Sequence, residues 1–223
     1  DFELPLVLCN SAHRFIITEQ IQSMNISVRD IILERYGRNT APAAAIAAMA
    51  LSAEDSDAVM LLLPSDHRIA DQNAFQAAID TALPAAENGY MVTFGITPTR
   101  PETGYGYILN AEELRLAVGC FAVQRFIEKP NLESAKKMIS AEGYNWNSGI
   151  FLFKASTYLK ELKRLQPCVY EACKKSFSNT TRDLGFMRLD EDAFQKCPKI
   201  SIDYAVMEQT KKAAVVPVNM GWS

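Results

Sequence analysis

Asp66 follows six apolar residues, Ala58 to Leu63, and then Pro64 and Ser65, in the stretch AVMLLLPSDHRIAD. An uninterrupted apolar run reads as a strand covered on both faces, and the proline ends it. Ligands of open α/β sheets gather beyond the carboxyl ends of the strands, so a carboxylate there serves either as a turn cap or as a ligand. Mg²⁺ is the cation that suits it, because Mg²⁺ takes one or two carboxylates and fills its shell with phosphate oxygens and water. Neighbours in an extended chain point to opposite faces, so Asp66 and His67 are not expected to enter one cleft together.

Four further stretches carry usable groups. In RPETGYGYI (100–108), Gly104 and Gly106 either let the backbone approach a ligand with open N–H groups or mark a bulge in a hairpin. In FIEKP (126–130), Glu128 is an acceptor for hydroxyls and Lys129 a cation for a phosphate, unless the two form a plain surface pair. Asn147, in YNWNSGIFLF (144–153), can donate to and accept from hydroxyls, or can serve a turn. The loop YGRNTAP (36–42) runs into a helix N-terminus, whose free N–H groups suit an anion or a base edge; capping by Thr40 explains the same residues. Together these groups ask for a ligand that carries both phosphate and hydroxyls.

The elements that must position them alternate along the first hundred residues. Strands are expected at 4–10, 28–34, 58–64 and 91–96, with helices at 11–24, 40–53 and from Asp71 onward, the last disturbed by Pro84. This rhythm predicts βαβ units and a parallel sheet. Later strands at 105–110, 123–129, 149–155 and 214–219 are interrupted by helices at 131–143, 156–165 and 201–209. The expected fold is α/β, a mostly parallel central sheet flanked by helices with a smaller, partly antiparallel region. Residues 176–190 are expected to form a loop.

The 223 residues suffice for one such domain. A net charge of −3 provides no basic field for nucleic acid or an anionic membrane. No 18-residue apolar run occurs and the first ten residues, DFELPLVLCN, lack a basic leader, so the cytoplasm is the expected compartment. Five cysteines without a C-x-x-C pair, and two histidines, predict free thiols and no zinc site.

In order, YGRNTAPA, LLPSDH, TFGITPTRPETGYGYI, FIEKP, NWNSGIFLF, SIDYAVME and GWS resemble the bacterial mannose-1-phosphate guanylyltransferases over nearly the whole chain. The resemblance implies a Rossmann-like nucleotidyltransferase fold and the reaction of GTP with mannose 1-phosphate to give GDP-mannose and pyrophosphate, with Mg²⁺. Residues 1–98 would form a nucleotide-side half and 99–223 a sugar-binding half of one domain. Asp66 would be a catalytic residue and metal ligand, and Lys129 would meet the sugar phosphate. Arg38, Asn39, Thr40, Pro64 and Ser65 would lie at the nucleotide, and Gly104, Tyr105, Gly106, Glu128, Asn147 and Asp203 at the sugar. The family's glycine-rich N-terminal phosphate loop and its second metal-binding aspartate are expected to lie outside these residues, leaving this stretch poorly active alone. A homodimer and a linked mannose-6-phosphate isomerase domain also accord with the resemblance. The alternatives are a transferase for another hexose 1-phosphate and a noncatalytic sugar-phosphate-binding module.

Overall fold

The apolar runs fold as strands because helices cover both of their faces. In the computed structural model, which describes residues 2–223, the elements are β1 (Leu6–Asn10), α1 (Arg14–Ser23), β2 (Asp30–Glu34), α2 (Thr40–Ser52), β3 (Val59–Leu62), α3 (Gln72–Glu87), β4 (Met91–Ile96), β5 (Tyr107–Glu113) and β6 (Phe121–Ile127). They continue with α4 (Leu132–Ser140), β7 (Tyr144–Lys154), α5 (Ala155–Leu165), α6 (Pro167–Ser178), β8 (Thr181–Asp183), β9 (Phe186–Arg188), α7 (Glu191–Gln195) and β10 (Ala213–Pro217).

The strands form a six-stranded sheet in the order β3-β7-β4-β10-β6-β5, in which β5 also pairs with β7, and a four-stranded sheet in the order β1-β2-β9-β8. In the larger sheet β3, β4, β5 and β10 run one way while β6 and β7 run the other. In the smaller, β8 alone opposes β1, β2 and β9. Strands from before and after position 98 interleave in the larger sheet, and in the smaller the two sets meet where β2 pairs with β9.

Alternation along the central strands divides the core. Met60, Met91, Phe151, Phe153 and Val215 point to the side packed by α2, α5 and α6, where Ile46, Tyr158, Leu162 and Cys173 are buried. Val92, Phe94, Ile150, Leu152 and Val216 point to the side covered by α3 through Ala78, Ile79 and Ala82. Alanines at 41, 44, 45 and 48 keep α2 close to the sheet, and all four are fully buried. The five cysteines are free thiols.

Three local outcomes differ from the pattern in the sequence. Residues 181–188 form a hairpin rather than a loop: Leu184 and Gly185, at φ 51° and 82°, make the two-residue turn, and β9 pairs with β2. Such short strands are set by their partner rather than by periodicity. β7 starts at Tyr144, not Gly149, because β4 and β5 flank its polar first half. The 201–209 region winds only over Asp203–Met207, in a wide π turn. Elsewhere Asp71 and Asn131 cap α3 and α4 as their types predict, and α3 runs through Pro84.

Tyr158 joins the start of α2 to α5: its buried hydroxyl donates to the Ala41 carbonyl at 2.7 Å. Tyr158→Phe is expected to lower stability by about 1 kcal/mol in urea unfolding, with the slope of the transition unchanged.

Candidate active site

A groove of about 1040 Å³ runs across the carboxyl ends of β3 and β6 and the first half of β7. Pro64, Ser65, His67, Gly104, Tyr105 and Gly106 line it, as do Glu128, Lys129, Asn147 and Asp203. Three elements far apart in sequence therefore meet there: the loop after β3, the glycine loop between β4 and β5, which do not pair and so form no hairpin, and the tip of β6. Thr40, the first residue of α2, lines the same groove. The other end of the groove is apolar and passes between β1 and β3, along Leu6, Leu8, Val59 and Leu61.

Not every expected residue enters. Asp66 lies between two lining residues, but its own side chain is 88% exposed and His67 Nε2 is 4.0 Å from its carboxylate. Asp66 sits in a turn rather than in extended chain, and of the two neighbours His67 is the inward one. Arg38 and Asn39 are absent from the lining, because the loop is tied elsewhere: the Arg38 guanidinium donates to the Gln195 carbonyl, and Ile200 N–H donates to the Arg38 carbonyl at 3.2 Å. Asn39, left-handed at φ 70°, caps α2 by accepting from Thr40 N–H at 2.8 Å. Thr40 is thus not the cap; its hydroxyl accepts from Ile202 N–H at 2.9 Å.

The glycine loop is held by its own acid. Glu102 accepts from the N–H groups of Thr103 and Gly104 at 3.1 and 3.2 Å and pairs with Arg100 at 3.2 Å, so the Gly104 N–H is engaged rather than open. Gly106 answers a different need. A Cβ there would stand 2.5 Å from Glu128 Oε2 and 3.2 Å from Asn147 Cβ. The absence of a side chain is what lets those two residues flank it.

Glu128 and Lys129 end β6 as a pair, with Nζ 3.5 Å from Oε1. Lys129 is left-handed at φ 48°, and its N–H donates to the Tyr105 carbonyl at 3.2 Å. Glu128 N–H donates to Glu208 Oε1 at 2.9 Å. The Glu128 carboxyl, 9% exposed, is pushed up from 4.5 to about 7, first by burial and then by the Asp203 charge, against the pull of Lys129. Burial also raises Asp203, opposed by hydrogen bonds from Ser201 and Asn147; Asn147 Nδ2 donates to Asp203 Oδ1 at 2.9 Å.

His67, Trp222 and Thr93 carry no assigned role in the sequence pattern, yet His67 and Trp222 line the groove and Thr93 bonds Asn147. Trp222 Nε1 donates to His67 Nδ1 at 3.1 Å, and its ring meets the edges of His67 and Tyr105 at 5.3 and 5.2 Å between centroids. Tyr105 in turn meets Trp146 at 5.3 Å. These aromatic contacts fasten the glycine loop to the loop after β3. For Thr93 a signal existed, since it is the single polar residue in the buried strand MVTFGI.

Among the described residues no cluster of three or more His, Cys, Asp or Glu side chains is placed to hold a metal ion. Mg²⁺ asks less of a protein when phosphates supply the remaining oxygens. An exposed carboxylate beside the groove, as Asp66 provides, fits that limited part.

The chain matches the nucleotidyl transferase family model over residues 1–223. It belongs to that family. Mannose-1-phosphate guanylyltransferase of Escherichia coli (strain K12) is 51% identical to this nucleotidyl transferase over 228 residues, 99% of this chain and 47% of that protein. Alginate biosynthesis protein AlgA of Pseudomonas aeruginosa is 49% identical over 221 residues, 99% of this chain and 46% of that protein. The chain spans about half the length of the curated relatives it matches. A crystal structure described as mannose-6-phosphate isomerase from Helicobacter pylori superposes with a TM-score of 0.87 at 35% identity, covering 98% of this chain and 83% of that one.

Two predictions concern Glu128 in this nucleotidyl transferase. Its folded-state pKa is raised, so the folded form binds the proton more tightly than the unfolded form. The associated stability is complete below pH 4.5, declines as pH rises to about 7, and changes no further above that. Urea unfolding should show a loss of about 3 kcal/mol across this window that Glu128→Gln removes. Gly106→Ala should keep the fold, because the 2.5 Å clash falls on the far end of the Glu128 side chain while Asn147 Cβ and the Phe126 ring, at 3.2 and 3.3 Å, have to give by only a few tenths of an ångström, and should displace the Glu128 carboxylate. A thermal melt near wild type with ligand affinity reduced at least about fivefold is the expected result.

Proposed function

We propose that this nucleotidyl transferase joins GTP and α-mannose 1-phosphate to give GDP-mannose and pyrophosphate. The observation that carries the proposal is the 51% identity to the Escherichia coli guanylyltransferase along 99% of the chain. The groove supports it chemically, because cation, carboxylates and amide converge where a phosphorylated sugar needs them.

In this reaction a phosphate oxygen of mannose 1-phosphate attacks the α-phosphorus of GTP. The bond from that phosphorus to the β-phosphate's bridging oxygen breaks, and pyrophosphate leaves in line. No protein nucleophile is required, so positioning and charge neutralisation supply the rate. Lys129 holds the sugar phosphate, Glu128 accepts from a hexose hydroxyl, and Asn147 donates to another. Asp203 keeps Asn147 in place, while Gly104, Tyr105 and Gly106 cover the sugar. Thr40, Pro64 and Ser65 bind on the nucleotide side, with Arg38 and Asn39 holding that loop in shape. Asp66 would hold Mg²⁺ together with phosphate oxygens and water; the ion, when bound, draws charge from the α-phosphate.

This assigns the nucleotide to residues 1–98 and the sugar to residues 99–223. The alginate-linked name of the Pseudomonas relative supports a place in polysaccharide synthesis. The isomerase description of the Helicobacter structure supports a linked isomerase domain in the full-length protein.

Pyrophosphate release from GTP and mannose 1-phosphate, assayed in the full-length protein, tests the reaction; release with another hexose phosphate but not with this one would refute it. Lys129→Met should raise the KM for mannose 1-phosphate at least about tenfold and leave that for GTP within about twofold. Equal changes in both would remove the lysine from the sugar phosphate.

A further inference from the structure

Asn147 is fastened at both poles of its amide. Gly149 N–H lies 3.2 Å from Oδ1, and a backbone N–H can only donate, so that atom must be the oxygen. Nδ2 lies 2.9 Å from Asp203 Oδ1 and donates to it. The reversed amide would set oxygen against carboxylate and NH₂ against N–H, two repulsions in place of two bonds. The third contact comes from β4. Thr93, fully buried, places Oγ1 2.8 Å from Asn147 Oδ1 and 2.9 Å from the Ile150 carbonyl, and its single hydroxyl proton serves these two acceptors.

This arrangement decides what Asn147 can offer a ligand. Its oxygen is occupied from inside the protein and one N–H is given to Asp203. The second N–H remains, so the residue presents a donor and no acceptor. Glu128, on the other side of Gly106, presents acceptors and no donor when ionised.

We propose that Thr93 is a positioning residue for sugar specificity: it holds the Asn147 amide so that the groove recognises one hydroxyl that accepts from Asn147 and a second that donates to Glu128. This rests on Asn147 meeting the sugar, as proposed above. Without the Thr93 hydroxyl the Asn147 oxygen keeps only the longer bond from Gly149 and loosens.

The test compares Thr93→Val, Thr93→Ser and Asn147→Ala in the full-length protein, with KM measured for both substrates and a thermal melt for each variant. Thr93→Val, equal in shape and lacking the hydroxyl, should raise the KM for mannose 1-phosphate about five- to tenfold and leave that for GTP within about twofold. Thr93→Ser, which restores the hydroxyl, should bring the sugar KM back to within about threefold of wild type. Thr93→Ala repeats the comparison without a branched side chain, should valine disturb the packing. A wild-type sugar KM in Thr93→Val beside a raised one in Asn147→Ala overturns the role of Thr93 alone. An unchanged sugar KM in Asn147→Ala removes that residue from the sugar, and the inference falls with it. A loss in Thr93→Ser equal to that in Thr93→Val, or equal shifts for both substrates, marks a packing effect and overturns it as well.

Discussion

Two carboxylates, Glu128 and Asp203, share one wall of the groove, and each is raised by burial. Removing charge from water is costly unless partners replace the lost hydration, and like charges close together add to that cost. The surrounding residues supply the replacement. Lys129 stands 3.5 Å from Glu128, and Asn147 gives Asp203 an N–H. Lys129 accepts a left-handed backbone to end β6 beside its acid, a conformation held by the Tyr105 carbonyl. A site that keeps acids dry and incompletely neutralised is poised to take up hydroxyl donors.

The sheet makes that possible by running β7 through its middle. One half of this strand pairs with β3 and the other with β5, while β4 lies along the opposite side. Its last residues are buried core while Asn147 and Ser148 reach the groove, so one strand converts packing into position for Asn147. Thr93 and Gly95 on β4 face that polar half, and the pairing shifts register between them. The π turn at 203–207 brings Asp203 to the same point from the far end of the chain. Rigid neighbours on three sides leave the amide little freedom.

The groove's rim depends on aromatic rings rather than charge. Trp222 touches both His67 and Tyr105, and residues 68 and 223 exchange backbone hydrogen bonds at 2.9 and 3.1 Å. The loop that carries Ser65, the glycine loop and the segment at 220–223 are therefore tied to one another.

The residue types and spacings by themselves determined the α/β class and the caps at Asp71 and Asn131, and named Glu128, Lys129, Asn147 and the glycine loop as groups able to serve one ligand. Those are local signals: an apolar run needs cover on both faces, and a short polar side chain before a helix satisfies its free N–H groups. Only the tertiary structure decided that His67 rather than the Asp66 side chain faces inward, that Arg38 and Asn39 turn away, that Trp222 lines the groove and Thr93 bonds Asn147 from behind it, and that the Gly104 N–H and the Asn147 oxygen are already engaged. Each of those outcomes turns on which hydrogen-bond partner a group meets across more than one element. A linear pattern records what a side chain is able to donate or accept, and the packed fold alone records who has claimed it.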